Sequence, residues 1–160
     1  MAKLDSQFTV FKPIAKAEKC IASMPKLPPI VEVAIGNPKY SLFDDAIYMP
    51  ALEHFPSAMA YYSALFHELA HATGNRKRLD RWCSFIRKNT PEYAFEEMVA
   101  ELSSIFCLYR LQIADGKIQE ESIEYISGWC AMLPETESSG ALEKAITIAE
   151  RIRDYIFNQL

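Results

Sequence analysis

Two histidines four residues apart, with a glutamate directly after the first, stand in 65-LFHELAHATGNRK-77 as His67, Glu68 and His71. On a helix turning about 100° per residue, His67 and His71 project from one face, one turn apart. Two imidazole nitrogens so placed can hold a single metal ion. Glu68 is rotated by about 100° and sits beside the ion without ligating it, where a base acting on a metal-polarised water belongs. The flanking residues agree. Ala60, Ser63 and Ala64 on the histidine side are small, whereas Met59, Tyr62, Leu65, Phe66 and Leu69 crowd the other.

A third histidine three residues after Gly74 would complete an all-histidine site, but Lys77 stands there. The remaining histidine, His54, reads as a capping or surface residue. A carboxylate from a second element is needed instead. From Tyr93 onward, Phe95, Met98, Val99, Leu102, Phe106 and Tyr109 form an apolar helical stripe. Glu97 and Glu101 lie about one turn apart on the opposite side, among Ala94, Ala100 and Ser104. Such a helix is covered on both sides, and buried carboxylates need a metal or hydrogen-bonding partners. Glu97 is therefore assigned as the third ligand, and Glu101 as the acceptor that orients an imidazole N–H. Glu96, displaced by about 100°, is expected to face solvent, although a rotation of the helix would exchange it with Glu97. The ion this donor set suits is Zn²⁺, with a fourth position left for water. For stabilising an oxyanion, Tyr48, Tyr93 and Arg78 carry suitable donors, and the sequence does not choose among them. The cluster Arg76, Lys77, Arg78, Arg81 reads as a solvated answer to the helix dipole, with a place lining the cleft as the alternative.

The elements that must position these residues follow from caps and periodicity. Pro13 opens a helix through Met24 with Ile14, Ala17, Ile21 and Met24 on one face. Short apolar runs at 30–35 and 46–49 read as strands. Ser57 caps a helix running to Thr73, with Gly74 as its stop. Thr90-Pro91-Glu92 opens the next, to about Leu111. Helices near 117–133 and over 141–160 complete a mostly helical α+β domain with a small N-terminal sheet. Tyr61, Tyr62, Trp82 and Trp129 read as core or helix-contact aromatics.

Composition sets the outer limits. At 160 residues the chain is expected to form one domain over 1–160, large enough to bury about two-thirds of its unfolded surface. Cys20, Cys83, Cys107 and Cys130 form no CxxC pair, which argues against a cysteine-held zinc and fits reduced thiols in a cytoplasm. No apolar run approaches the roughly 18 residues that cross a membrane, and the N-terminus lacks the layout of a signal peptide. A net charge of −4 gives no general pull toward nucleic acid.

Taken together, 46-AIYMP-50, 61-YYSALFHELAHATG-74, 78-RLDR-81, 93-YAFEEMVAEL-102 and 125-YISGW-129 resemble the zincin-like metallopeptidase domain of ArdC-type antirestriction proteins. That family is carried on plasmids and phages and is related to primase-associated TraC proteins. The resemblance spans nearly the whole chain. It implies a zinc peptidase fold, a small sheet whose edge strand flanks the cleft, and His67, Glu68, His71 and Glu97 as the site. Asn75 stands where the family often has a histidine after the helix-ending glycine. Full-length relatives also carry an N-terminal domain that binds single-stranded DNA, which this chain is expected to lack.

The expectation is a cytoplasmic zinc-dependent peptidase acting on a protein or peptide in antirestriction or mobile-element biology, without direct nucleic-acid or membrane binding. The strand near Ala46–Met49 is expected to pair with an extended substrate. The alternative is a zinc-containing protein-binding module without significant proteolysis. Glu68 favours the enzyme, because a structural zinc usually takes four protein ligands and needs no carboxylate between them.

Overall fold

The computed structural model describes residues 11–81, 88–114, 116–133 and 138–160. Trp82 and Cys83 therefore lie outside the described residues. Helix α1 (Ala15–Ser23) precedes three strands, β1 (Ile30–Val33), β2 (Lys39–Ser41) and β3 (Ala46–Pro50), and a single 3-10 turn at Leu52–His54. Four helices follow: α2 (Ala58–Thr73), α3 (Pro91–Arg110), α4 (Gly116–Cys130) and α5 (Ser138–Ile156). No helix among the described residues is long and apolar enough to cross a membrane.

The caps act where the sequence places them. Ser57 accepts the Ala60 N–H at 3.0 Å, and Thr90 accepts the Tyr93 N–H at 3.2 Å, each satisfying a donor of the first turn. The stop at Gly74 works differently from a left-handed glycine cap. Gly74 keeps φ −66°, and the chain is turned by Asn75, whose side-chain oxygen accepts the Lys77 N–H at 3.0 Å.

The sheet has the order β1-β3-β2, with β1 parallel and β2 antiparallel to β3. This corrects the placement of the edge. β3 is the middle strand, its hydrogen-bonding sides taken by both neighbours, so it cannot accept a substrate strand. The cleft-side edge is β2, a three-residue strand too short and too polar to show an alternating pattern. Gly36, at φ 135°, makes the turn between β1 and β2 in a conformation that side-chain-bearing residues avoid.

The apolar faces of α2 and α3 meet in the core through Tyr62, Phe66, Leu69, Met98, Val99 and Leu108, with α5 closing it through Ala145, Ala149, Ile152 and Ile156. The stripe on α3 ends sooner than its periodicity predicts: Tyr109 is 51% exposed. Cys20, Cys107 and Cys130 are free thiols.

Candidate metal centre

Near the centre, α2 and α3 touch through small residues. Ser104 Oγ donates to the Ser63 carbonyl at 2.8 Å, and Ala100 and Ser104 are fully buried. That close approach carries the carboxylates of α3 over the histidine face of α2. His67 Nε2 and His71 Nε2 lie 3.1 Å apart. Glu97 closes a triangle, with Oε2 3.4 Å from His67 Nε2 and Oε1 3.5 Å from His71 Nε2. Among the described residues, these three form the His, Cys, Asp and Glu group whose donor atoms all lie within 4.8 Å of one another.

The second nitrogen of each ring is already committed. His67 Nδ1 faces Glu101 Oε2, and His71 Nδ1 faces Glu96 Oε1, both at 3.1 Å. An ionised carboxylate only accepts, so each neutral ring carries its proton on Nδ1. Both Nε2 lone pairs then point toward each other and toward Glu97, three acceptors with no donor between them. Only a cation resolves that arrangement, and two imidazoles with one carboxylate are a donor set for a divalent metal. The residues fit the ion. In the metal-free protein a proton partly takes its place. Burial alone would lower the pKa of His67, but hydrogen bonds to Glu101 and Glu97 and the charge of Glu68 carry it up to about 10.

Glu68, 9% exposed, lies beside the triangle on the same cavity. Its Oε2 accepts the Tyr40 main-chain N–H at 2.6 Å, so strand β2 holds one oxygen of this carboxylate. Tyr40 is anchored in turn. Its hydroxyl donates to Asp45 Oδ1 at 2.8 Å and accepts from Asn75 Nδ2 at 3.1 Å. Asn75, at the position where the related pattern often has histidine, thus ties the end of α2 to the strand above it.

Glu96 does not face solvent; it is 6% exposed. Besides His71, it binds Arg81 through two bonds, Nη1 to Oε2 at 2.6 Å and Nη2 to Oε1 at 3.0 Å. Burial would raise its carboxyl, but the His71 hydrogen bond and the Arg81 charge hold it down at about 2. Arg81 also donates to the Ala70 carbonyl at 2.9 Å. The expectation of a solvated basic cluster therefore fails for Arg81, and for Arg78, whose side chain is 2% exposed. Arg78 donates to Asp45 Oδ1 at 2.7 Å, the Lys26 carbonyl at 2.9 Å and the Ala72 carbonyl at 3.0 Å. It is not brought to the cavity.

Tyr93 and Tyr48 do line the cavity, a cleft of about 1130 Å³. Burial and a hydrogen bond to Glu97 push the Tyr93 phenol up to about 12. Tyr48 instead turns its hydroxyl to Asp44 at 3.1 Å. His54 is exposed on its 3-10 turn, away from the centre. The sequence reading missed Glu96–Arg81 and Tyr40–Asn75. Its available trace of the first was a carboxylate adjoining a ligand on a doubly covered helix, with an arginine just past the end of α2.

A family model described as zincin-like metallopeptidase matches residues 29–145. The chain is 28% identical to the manganese-bound crystal structure of the antirestriction protein ArdC from plasmid R388, with a TM-score of 0.72 over 92% of this chain and 53% of that one. The metal-free structure of the same protein matches in fold, at 24% identity and a TM-score of 0.61. An uncharacterized protein, y4eC of Sinorhizobium fredii, is 30% identical over 91% of this chain, which spans 45% of that protein. The DNA primase TraC of Escherichia coli is 34% identical over 70% of this chain and 10% of the primase. The chain thus spans about half the length, or far less, of the relatives it matches, and it belongs to the family of zincin-like metallopeptidases.

Proposed function

We propose that this domain is a zinc-dependent peptidase, with His67, His71 and Glu97 as ligands, Glu68 as base, and Glu101 orienting His67. The observation that carries the reading is the pair of Nε2 lone pairs facing each other at 3.1 Å beside a carboxylate, at the floor of an open cleft. When bound, a divalent ion supplies Lewis acidity that polarises a scissile carbonyl and acidifies a nearby water. Glu68, with Oε2 held by β2, takes the water's proton on its other oxygen as the C–O bond forms. It then passes that proton to the amine as the C–N bond breaks. Tyr93 is the best placed of the three donors considered for the oxyanion, since its phenol already reaches Glu97.

The likeness to an antirestriction protein from a plasmid supports a role in mobile-element biology. The rival reading, a metal-containing module that binds a partner protein without cutting it, draws on the Glu68–Tyr40 bond, which gives the carboxylate a structural use.

Wild type and Glu68→Gln, each loaded with zinc, separate the two on a mixed peptide library. Equal metal content with cleavage by the wild type alone supports the peptidase. Equal metal content with no cleavage by either rejects it. His67→Ala should lose the metal, and stoichiometric zinc in that variant would reject the ligand set.

A further inference from the structure

A second cavity, of about 270 Å³, shares no described lining residue with the metal cleft. Pro25 and Lys26 reach it from the end of α1, Lys77 and Arg78 from the end of α2, and Tyr155 and Asn158 from the end of α5. Direct contacts tie these three segments together. Arg78 Nε donates to the Lys26 carbonyl at 2.9 Å, and the Tyr155 hydroxyl donates to the Pro25 carbonyl at 3.0 Å. Arg78 Nη1 and Lys77 Nζ donate to the two oxygens of Asp45, at 2.7 and 2.9 Å. Burial raises the Tyr155 phenol while the nearby Arg78 charge works against it. Lys26, Lys77 and Arg78 are thus gathered around one small space, in a chain whose net charge is −4.

The donors of Arg78 are unevenly used. Its side chain is 2% exposed, and Nε and Nη1 are spent on Lys26, Asp45 and Ala72. Nη2 has no acceptor among the described residues. A guanidinium nitrogen on so enclosed a side chain normally has one. Lys77 gives one ammonium proton to Asp45 and keeps the others, and Lys26 is exposed beside it.

This pattern of donors selects among anions. With Nε and Nη1 both engaged, Arg78 has no adjacent pair of nitrogens to offer a planar carboxylate. Single donors remain, on three side chains from two separate segments. They suit an anion whose acceptors point in several directions, and lysine serves a phosphate group as a point charge. We infer that Arg78 Nη2, Lys77 and Lys26 bind a phosphate group in the cavity between the ends of α1, α2 and α5. The site does not depend on the peptidase reading.

The test titrates the zinc-loaded protein with inorganic phosphate, and separately with acetate, at fixed ionic strength, following backbone amide shifts. One saturable site should appear, with shifts at Lys26, Lys77 and Arg78 and a dissociation constant below about 10 mM. Phosphate should bind at least about five-fold more tightly than acetate. Lys26→Ala and Lys77→Ala, both at exposed positions, should each weaken phosphate binding by about three-fold and leave zinc content unchanged. Arg78→Lys keeps a charge for Asp45 but removes Nη2, and should abolish saturation in a protein that still binds zinc. Should that variant not fold, the lysine variants decide. Absence of saturation, acetate binding as tightly as phosphate, shifts confined to the metal ligands, or undiminished binding in the Lys26→Ala, Lys77→Ala double variant overturns the site.

Discussion

Each imidazole of the centre leans on a carboxylate of α3, and the two carboxylates are held differently. Glu101 accepts from His67 Nδ1 and from the hydroxyl of Ser122 on α4, with 14% of its side chain exposed. Glu96 accepts from His71 Nδ1 and from both terminal nitrogens of Arg81, with 8% exposed. The same 3.1 Å contact to an imidazole is thus made once by a carboxylate whose charge is balanced by a guanidinium and once by a carboxylate held through a hydroxyl. Glu96 joins the ring to the architecture around the end of α2, while Glu101 serves mainly the ring. One contact belongs to the fold and the other to the metal.

The largest expected effect breaks the first of these. Glu96→Ala strands the Arg81 guanidinium in a site from which water is largely excluded, and removing one partner of a buried pair costs about 3–5 kcal/mol. Chemical denaturation of the metal-free protein should show that loss, while Glu101→Ala, which leaves the His67 proton to Glu97 and Glu68, should cost less. Equal losses in the two variants would erase the distinction. The next effect inverts the order. In Glu101→Ala the ring of His67 loses its orienting acceptor, and zinc affinity should fall by about 10–100-fold, measured by competition with a chelator, while the fold survives. Affinity within about two-fold of wild type would make Glu101 a packing residue.

The difference between the two carboxylates also explains how much could be read from the chain. Glu101 follows Glu97 at i+4, so helical periodicity alone places both over one face, and the caps at Ser57 and Thr90 set the helices that present them. Glu96 escapes periodicity because α3 is covered on more than one side. A wheel with a single buried stripe sends Glu96 to solvent, and its partner Arg81 arrives from the segment after α2, where no repeat predicts direction. The sheet fails for a related reason. Lys39–Ser41 has neither the length nor the alternation to announce a strand. Once β2 is missed, β3 looks like an edge, and the bond from Tyr40 to Glu68 has no place in the reading. Elements with a period were legible; contacts made by short or aperiodic segments were not.

The smallest effect tests whether an arginine–carboxylate pair lacking an imidazole behaves as scaffold alone. Asp45 accepts from Arg78 Nη1 at 2.7 Å, Lys77 Nζ at 2.9 Å and the Tyr40 hydroxyl at 2.8 Å. Burial would raise its carboxyl, but these donations outweigh it and lower the pKa from 3.8 to about 2. A depressed carboxylate stabilises the fold above its unfolded pKa, and that contribution fades as pH falls through the folded value. Partial exposure and screening limit it to about 1 kcal/mol. Between about pH 5 and pH 2 the wild type should therefore lose more stability than Asp45→Asn, the two curves converging at the acid end. Because Tyr40 carries both this anchor and the N–H that holds Glu68, Asp45→Asn should leave zinc affinity unchanged and loosen β2 over the cleft, read as faster amide exchange at Tyr40. Protection at Tyr40 equal to wild type would show that Glu68 and Asn75 suffice to hold the strand, and that the Arg78–Asp45 pair stands apart from the metal centre.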